Sequence, residues 1–182
     1  MLLGLTDKLL DAIIDTYTNK QERKMGTRSR IAVMHGSVCK SVYCHWDGYL
    51  DNNGRILQEY YDSAKANNLV ALGDLSSLRP NIGEQHAFSQ FDLTPEQREQ
   101  YELAHGDSCT FYGRDRGEEG CDFKTAHSFD EFLEQVEGCC AEYYYVMKDG
   151  VWYAGAVYDT DGLVKGGLVS LQDALETLEI DG

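Results

Sequence analysis

The densest run of chemically capable side chains is Tyr43, Cys44, His45, Trp46, Asp47 and Tyr49. On a strand, alternation sends Tyr43, His45 and Asp47 to one face and Val42, Cys44 and Trp46 to the other. The first face would present a phenol, an imidazole and a carboxylate together. Such a trio binds a polar ligand or moves a proton, because imidazole titrates near neutral pH and a carboxylate fixes its tautomer. The second set is the better core set. Cys44 and His45 point apart on a strand, so a thiolate–imidazolium pair between them is not expected. The same run also serves as an ordinary strand end or as a partner surface that includes Trp46 and Tyr49. No catalytic residue is assigned.

A second cluster is Arg114, Asp115 and Arg116 within the glycine-rich stretch 112–120. Glycines free a backbone to wrap an anion, and guanidinium forks suit phosphate or carboxylate. The stretch lacks the lysine–serine/threonine pair and following helix of a phosphate loop. Its carboxylates also offset its arginines, so a solvated hairpin loop is the plainer expectation. Asp159-Thr160-Asp161-Gly162 opens like a calcium loop but lacks the later glutamate, and is expected to be a turn. No metal or cofactor is expected. The six cysteines show no zinc spacing, and free thiols in a reducing compartment are expected.

Charge is unevenly spread. Residues 1–60 hold eight Lys/Arg against seven Asp/Glu, and residues 61–182 hold eight against twenty-four, for a net charge of −15. An acidic body repels nucleic acid and membrane lipids and attracts basic protein surfaces. Glu131, Glu134 and Glu137 form a candidate acidic face, with Trp152 and Tyr153 as candidate aromatic anchors. No run of about 18 apolar residues predicts a membrane span, and Asp7 and Lys8 break the Leu2, Leu3, Leu5 cluster, so a signal peptide is not expected.

The elements that must position these residues follow from local pattern. Residues 6–19 have helical apolar spacing behind Thr6, and a basic connection containing Met25, an alternative start, follows. Residues 30–34 and 38–46 read as a hairpin around His35-Gly36-Ser37. A helix is predicted from Ile56 to about Asn67–Asn68, with a short extension over 69–72, and 74–92 has no regular pattern. Thr94-Pro95 begins a helix running to about Ala104. Residues 108–112 and 121–126 are predicted to pair as a hairpin. Ser128 and Glu131 open a helix with Phe129, Phe132, Leu133 and Val136 as its stripe. Residues 141–147 and 151–158 flank Lys148-Asp149-Gly150 as the clearest hairpin, with half its aromatic rings expected on the open face. Ser170 caps a last helix buried through Leu171, Ala174, Leu175 and Leu178. The fold class is therefore α+β: a mostly antiparallel sheet built from hairpins, covered by helices on one side, with an N-terminal amphipathic helix. Residues 1–24 form that helix and linker, and 25–182 a single acidic domain.

Segments 25–33, 41–49 and 71–78, with the Gly113-Arg114-Asp115-Arg116-Gly117 loop, resemble a family of small bacteriophage accessory proteins of unassigned activity. The resemblance spans roughly residues 25–150, and the first 24 residues depart from it. It implies a viral protein of the bacterial host cytoplasm and transfers no catalytic residues. The leading expectation is a host-takeover or anti-defence inhibitor that occupies a basic surface of a host protein as a nucleic-acid mimic. The alternatives are a binder sequestering a nucleotide-like signal on Arg114 and Arg116 with Tyr43, Trp46 or Tyr49 stacking the base, and, last, an enzyme using His45 and Asp47. Direct nucleic-acid or membrane binding is not expected, and the N-terminal helix offers a route to a homodimer.

Overall fold

The computed structural model describes residues 26–87 and 92–180. The expected N-terminal helix and the dimer built on it lie outside the described residues. Strands β1 (Ser29–His35) and β2 (Val38–Cys44) form the predicted antiparallel hairpin, in register from Ser29↔Cys44 to His35↔Val38. Gly36, at φ +61°, supplies the left-handed backbone that the turn needs.

A π-helical turn at Leu50–Gly54 leads into α1 (Arg55–Tyr60) and α2 (Ser63–Ala71). The single helix expected here is broken because Tyr61 is extended and Asp62 caps α2, accepting the Lys65 N–H at 2.8 Å. Short strand β3 (Leu75–Ser77) lies in the segment without sequence pattern. Helix α3 (Pro95–His105) begins with the Thr94–Gln97 capping box and Pro95 at its start.

Strand β4 (Thr110–Phe111), helix α4 (Tyr112–Arg116) and strand β5 (Lys124–Ala126) replace the hairpin predicted over 108–126. β5 pairs with β2, at Cys39↔Ala126 and Ser41↔Lys124, while β4 pairs with β3. Helix α5 (Phe129–Gly138) is followed by the predicted hairpin of β6 (Tyr143–Lys148) and β7 (Val151–Ala156). Strand β8 (Val169–Ser170) and helix α6 (Leu171–Ile180) complete the chain order.

The result is a mixed α+β fold around an eight-stranded, mostly antiparallel open sheet, ordered β4-β3-β2-β1-β6-β7-β8 with β5 beside β2. Two contacts are parallel, β1 with β6 and β2 with β3. Helices cover both faces, not one. Ile31, Val33, Val42, Tyr143, Tyr145 and Met147 pack with Leu57, Leu69, Leu171 and Leu175, contributed by α1, α2 and α6. On the other face Ala32, Met34, Tyr144 and Val146 pack with Phe132 and Val136 of α5. Tyr143, Tyr144 and Tyr145 are therefore all buried, because each alternating side meets a core. The open aromatic face expected on this hairpin is absent.

Candidate functional site

The end of β2 brings Tyr43 and His45 together, as alternation predicts. The Tyr43 hydroxyl lies 2.8 Å from His45 Nδ1, and the His45 and Trp46 rings meet edge to face at 4.5 Å. Burial lowers the His45 pKa, with the Arg28 charge adding to the effect, and burial raises that of the Tyr43 phenol. At neutral pH the imidazole is thus neutral, and its tautomer sets which of the two groups donates in this bond.

Asp47 does not complete the expected trio. The strand ends at Cys44, and the backbones of His45 and Trp46 donate instead to Leu75 O and Ser76 O of β3. At Asp47 the chain turns through φ +56°, and its carbonyl accepts Asn53 N–H. The carboxylate that meets Tyr43 comes from Asp74, whose Oδ1 accepts the Tyr43 backbone N–H at 2.7 Å. Trp46 is not part of the core set: it is 44 % exposed. Tyr49 is half-buried where the chain enters the π-helical turn. Cys44 is fully buried on the far side, and burial pushes its thiol up to about 12, which leaves no thiolate nucleophile.

The Arg114 cluster folds inward. Arg114 Nε and Nη2 clamp Asp115 at 2.9 and 3.0 Å, Nη1 donates to Ile82 O and Gly83 O, and Nη2 donates to Cys109 O. All five guanidinium donors are committed. The fully buried Asp115 carboxylate also accepts N–H groups from Phe111 at 2.7 Å and His86 at 3.1 Å. Burial alone would raise the Asp115 pKa, but Arg114 and these two N–H donors together hold it below the ordinary carboxylate value. Arg114 is a structural clamp with no donor left for a ligand phosphate. Arg116 stays exposed, paired with Glu118 at 2.9 Å.

His86 joins this knot, with Nε2 2.9 Å from Cys109 O and its ring stacked on His105 at 5.1 Å. Helix α3 buries no residue, and Tyr101 and His105 are the rings that tie it to the body through His86. His86, Tyr101, His105 and Arg79 carry no sequence motif. They meet only because β3, β4 and α3 converge.

Of the acidic face, Glu134 and Glu137 stand exposed on α5, together with Asp130. Glu131 is partly covered: its carboxylate accepts the His127 N–H at 2.6 Å, and its own N–H donates to the Ser128 cap. Trp152 is not a surface anchor: it is 4 % exposed and donates from Nε1 to Tyr61 O at 2.7 Å. Tyr153 is half-buried.

All six cysteines are free thiols. Among the described residues, no three His, Cys, Asp or Glu side chains converge to hold a metal ion, and no helix is long and apolar enough to cross a membrane. No family model, curated protein or solved structure matches the chain.

Proposed function

We propose that this chain is a protein-binding module whose acidic helical surface occupies a basic surface on a host protein, as in a phage-encoded inhibitor acting in a bacterial cytoplasm. The observation that carries the proposal is on α5. Asp130, Glu134 and Glu137 are exposed opposite the buried Phe132 and Val136, with no ion-pair partner among the described residues. Uncompensated carboxylates on a rigid helix raise encounter rates with basic surfaces. The exposed Trp46, packed against His45, supplies an aromatic contact of the kind that anchors interfaces. The nucleotide-sequestering alternative is weakened by the internal engagement of Arg114.

The test is affinity capture from a bacterial lysate at low and high salt, run beside a variant carrying Asp130→Asn, Glu134→Gln and Glu137→Gln. Glu131 is kept because its carboxylate holds the His127 N–H ahead of the α5 cap. A stoichiometric basic partner should be retained at low salt, released at high salt, and held at least about tenfold more weakly by the variant. Equal retention by the variant would overturn the acidic-face mechanism.

A further inference from the structure

We propose that the β3–β4 end of the sheet carries a binding site for a small phosphate-type oxyanion, seated on Arg79. A groove of about 190 Å³ opens there, lined by Arg79, His105, Ser77, Ser108 and Thr110, with Glu102 at its wall. Ser77 and Thr110 face each other in register across β3 and β4, which sets two hydroxyls side by side. Ser77, Ser108 and Thr110 make no side-chain hydrogen bond among the described residues, so their hydroxyls are available to a bound oxygen.

Arg79 is held from behind and open in front. Its backbone N–H donates to Cys109 Sγ at 3.2 Å, and its carbonyl accepts the Tyr61 hydroxyl at 2.7 Å. Its guanidinium makes a single hydrogen bond, from Nη1 to Leu78 O at 3.1 Å. Among the described residues no carboxylate pairs with it. Arg114, by contrast, has all five donors engaged. Arg79 therefore keeps the planar fork that matches two oxygens of a tetrahedral anion, while the neighbouring hydroxyls suit the others. His105 is held at the groove by its stack on His86, where its ring supplies one more donor.

Glu102 opposes an anion at this position, and so does the chain's net charge of −15. Binding is accordingly expected in the millimolar range for inorganic phosphate, and Glu102→Gln should tighten it about threefold or more.

The experiment uses the full chain with inorganic phosphate as the probe, against sodium chloride at matched ionic strength. Thermal melts of the wild type and of Arg116→Ala, which removes an exposed arginine elsewhere, should rise by a few degrees in about 20 mM phosphate, beyond any chloride effect. Arg79→Ala should lose that rise, and Arg79→Lys, which keeps the charge but not the fork, should bind about tenfold more weakly. A direct readout on the native protein is the Arg79 Nε–H resonance, which should shift saturably with phosphate. If Arg79→Ala fails to fold, that resonance and the lysine variant decide the matter. No phosphate-specific rise in the wild type, a rise that survives in Arg79→Ala, or an Arg79 resonance indifferent to phosphate would each overturn the site.

Discussion

Arg114 and its chain neighbour Asp115 form a closed ion pair, Nε to Oδ1 at 2.9 Å and Nη2 to Oδ2 at 3.0 Å, with the Asp115 side chain fully buried. Through it the 82–83 carbonyls, the His86 and Phe111 N–H groups and Cys109 O converge on one point. A pair this well hydrogen-bonded ties residues 82–86 to β4 and to α4. Removing one partner strands the other charge. Arg114→Ala should therefore cost about 3–5 kcal/mol in urea unfolding, and Arg116→Ala no more than about 0.5 kcal/mol. Equal midpoints for the two variants would sink the structural role assigned to Arg114.

The same pair predicts an acid limb. Asp115 has a folded pKa below its unfolded value, so its stabilisation is present above the unfolded carboxylate range and is lost as pH falls through the folded value. The wild type should lose stability below about pH 4 more steeply than Asp115→Asn, whose uncharged side chain has no such linkage. Parallel stability–pH curves for the two proteins would contradict this.

Asp74 predicts the opposite sign. Burial raises its folded pKa, partly offset by the Tyr43 N–H, so its contribution is present below the unfolded value and is lost as pH rises through the folded one. Asp74→Asn keeps an oxygen for Tyr43 N–H without the buried charge. Its melting temperature should exceed that of the wild type at pH 7, and the gain should vanish near pH 3. A variant less stable at pH 7 would show that the charge itself is needed there.

Thiol reactivity should sort by burial. Cys39, Cys44 and Cys109 are fully buried, and burial pushes the first two thiols up to about 12, whereas Cys140 is exposed. With iodoacetamide at pH 8, peptide mapping should find Cys140 modified first and the three buried thiols only after unfolding. Early labelling of Cys44 would reopen the case for a nucleophile beside His45.

Gly155 permits the hairpin's closest approach. A Cβ there would lie 2.2 Å from the Tyr144 ring and 2.3 Å from Gly167 O, which accepts the Tyr144 hydroxyl at 2.6 Å. Gly155→Ala should cost about 3 kcal/mol by overpacking, measured by denaturant melts. A loss below about 1 kcal/mol would mean that the 167 loop moves aside freely.

Elements whose signals are confined to a few neighbouring residues were legible in the sequence. The turn at Asp149-Gly150 carries φ values of +51° and +79°, the left-handed pair that Asp-Gly favours. Thr94 and Ser128 cap their helices through the N–H three residues on, as their spacing implies. The Tyr43–His45 contact also followed from strand alternation alone.

What the sequence by itself determined was thus the short-range set: two hairpins, the capped helices, and the side of β2 on which the imidazole stands. Only the tertiary structure decided that β5 joins β2, that helices close both faces of the sheet, and that Trp152 goes in while Trp46 stays out. Only there does Asp115 consume Arg114 while Arg79 keeps its donors. The physical reason is range. A cap or a tight turn is satisfied within four residues, whereas a strand's partner and a guanidinium's acceptors lie tens of residues away and are chosen by how the whole chain packs.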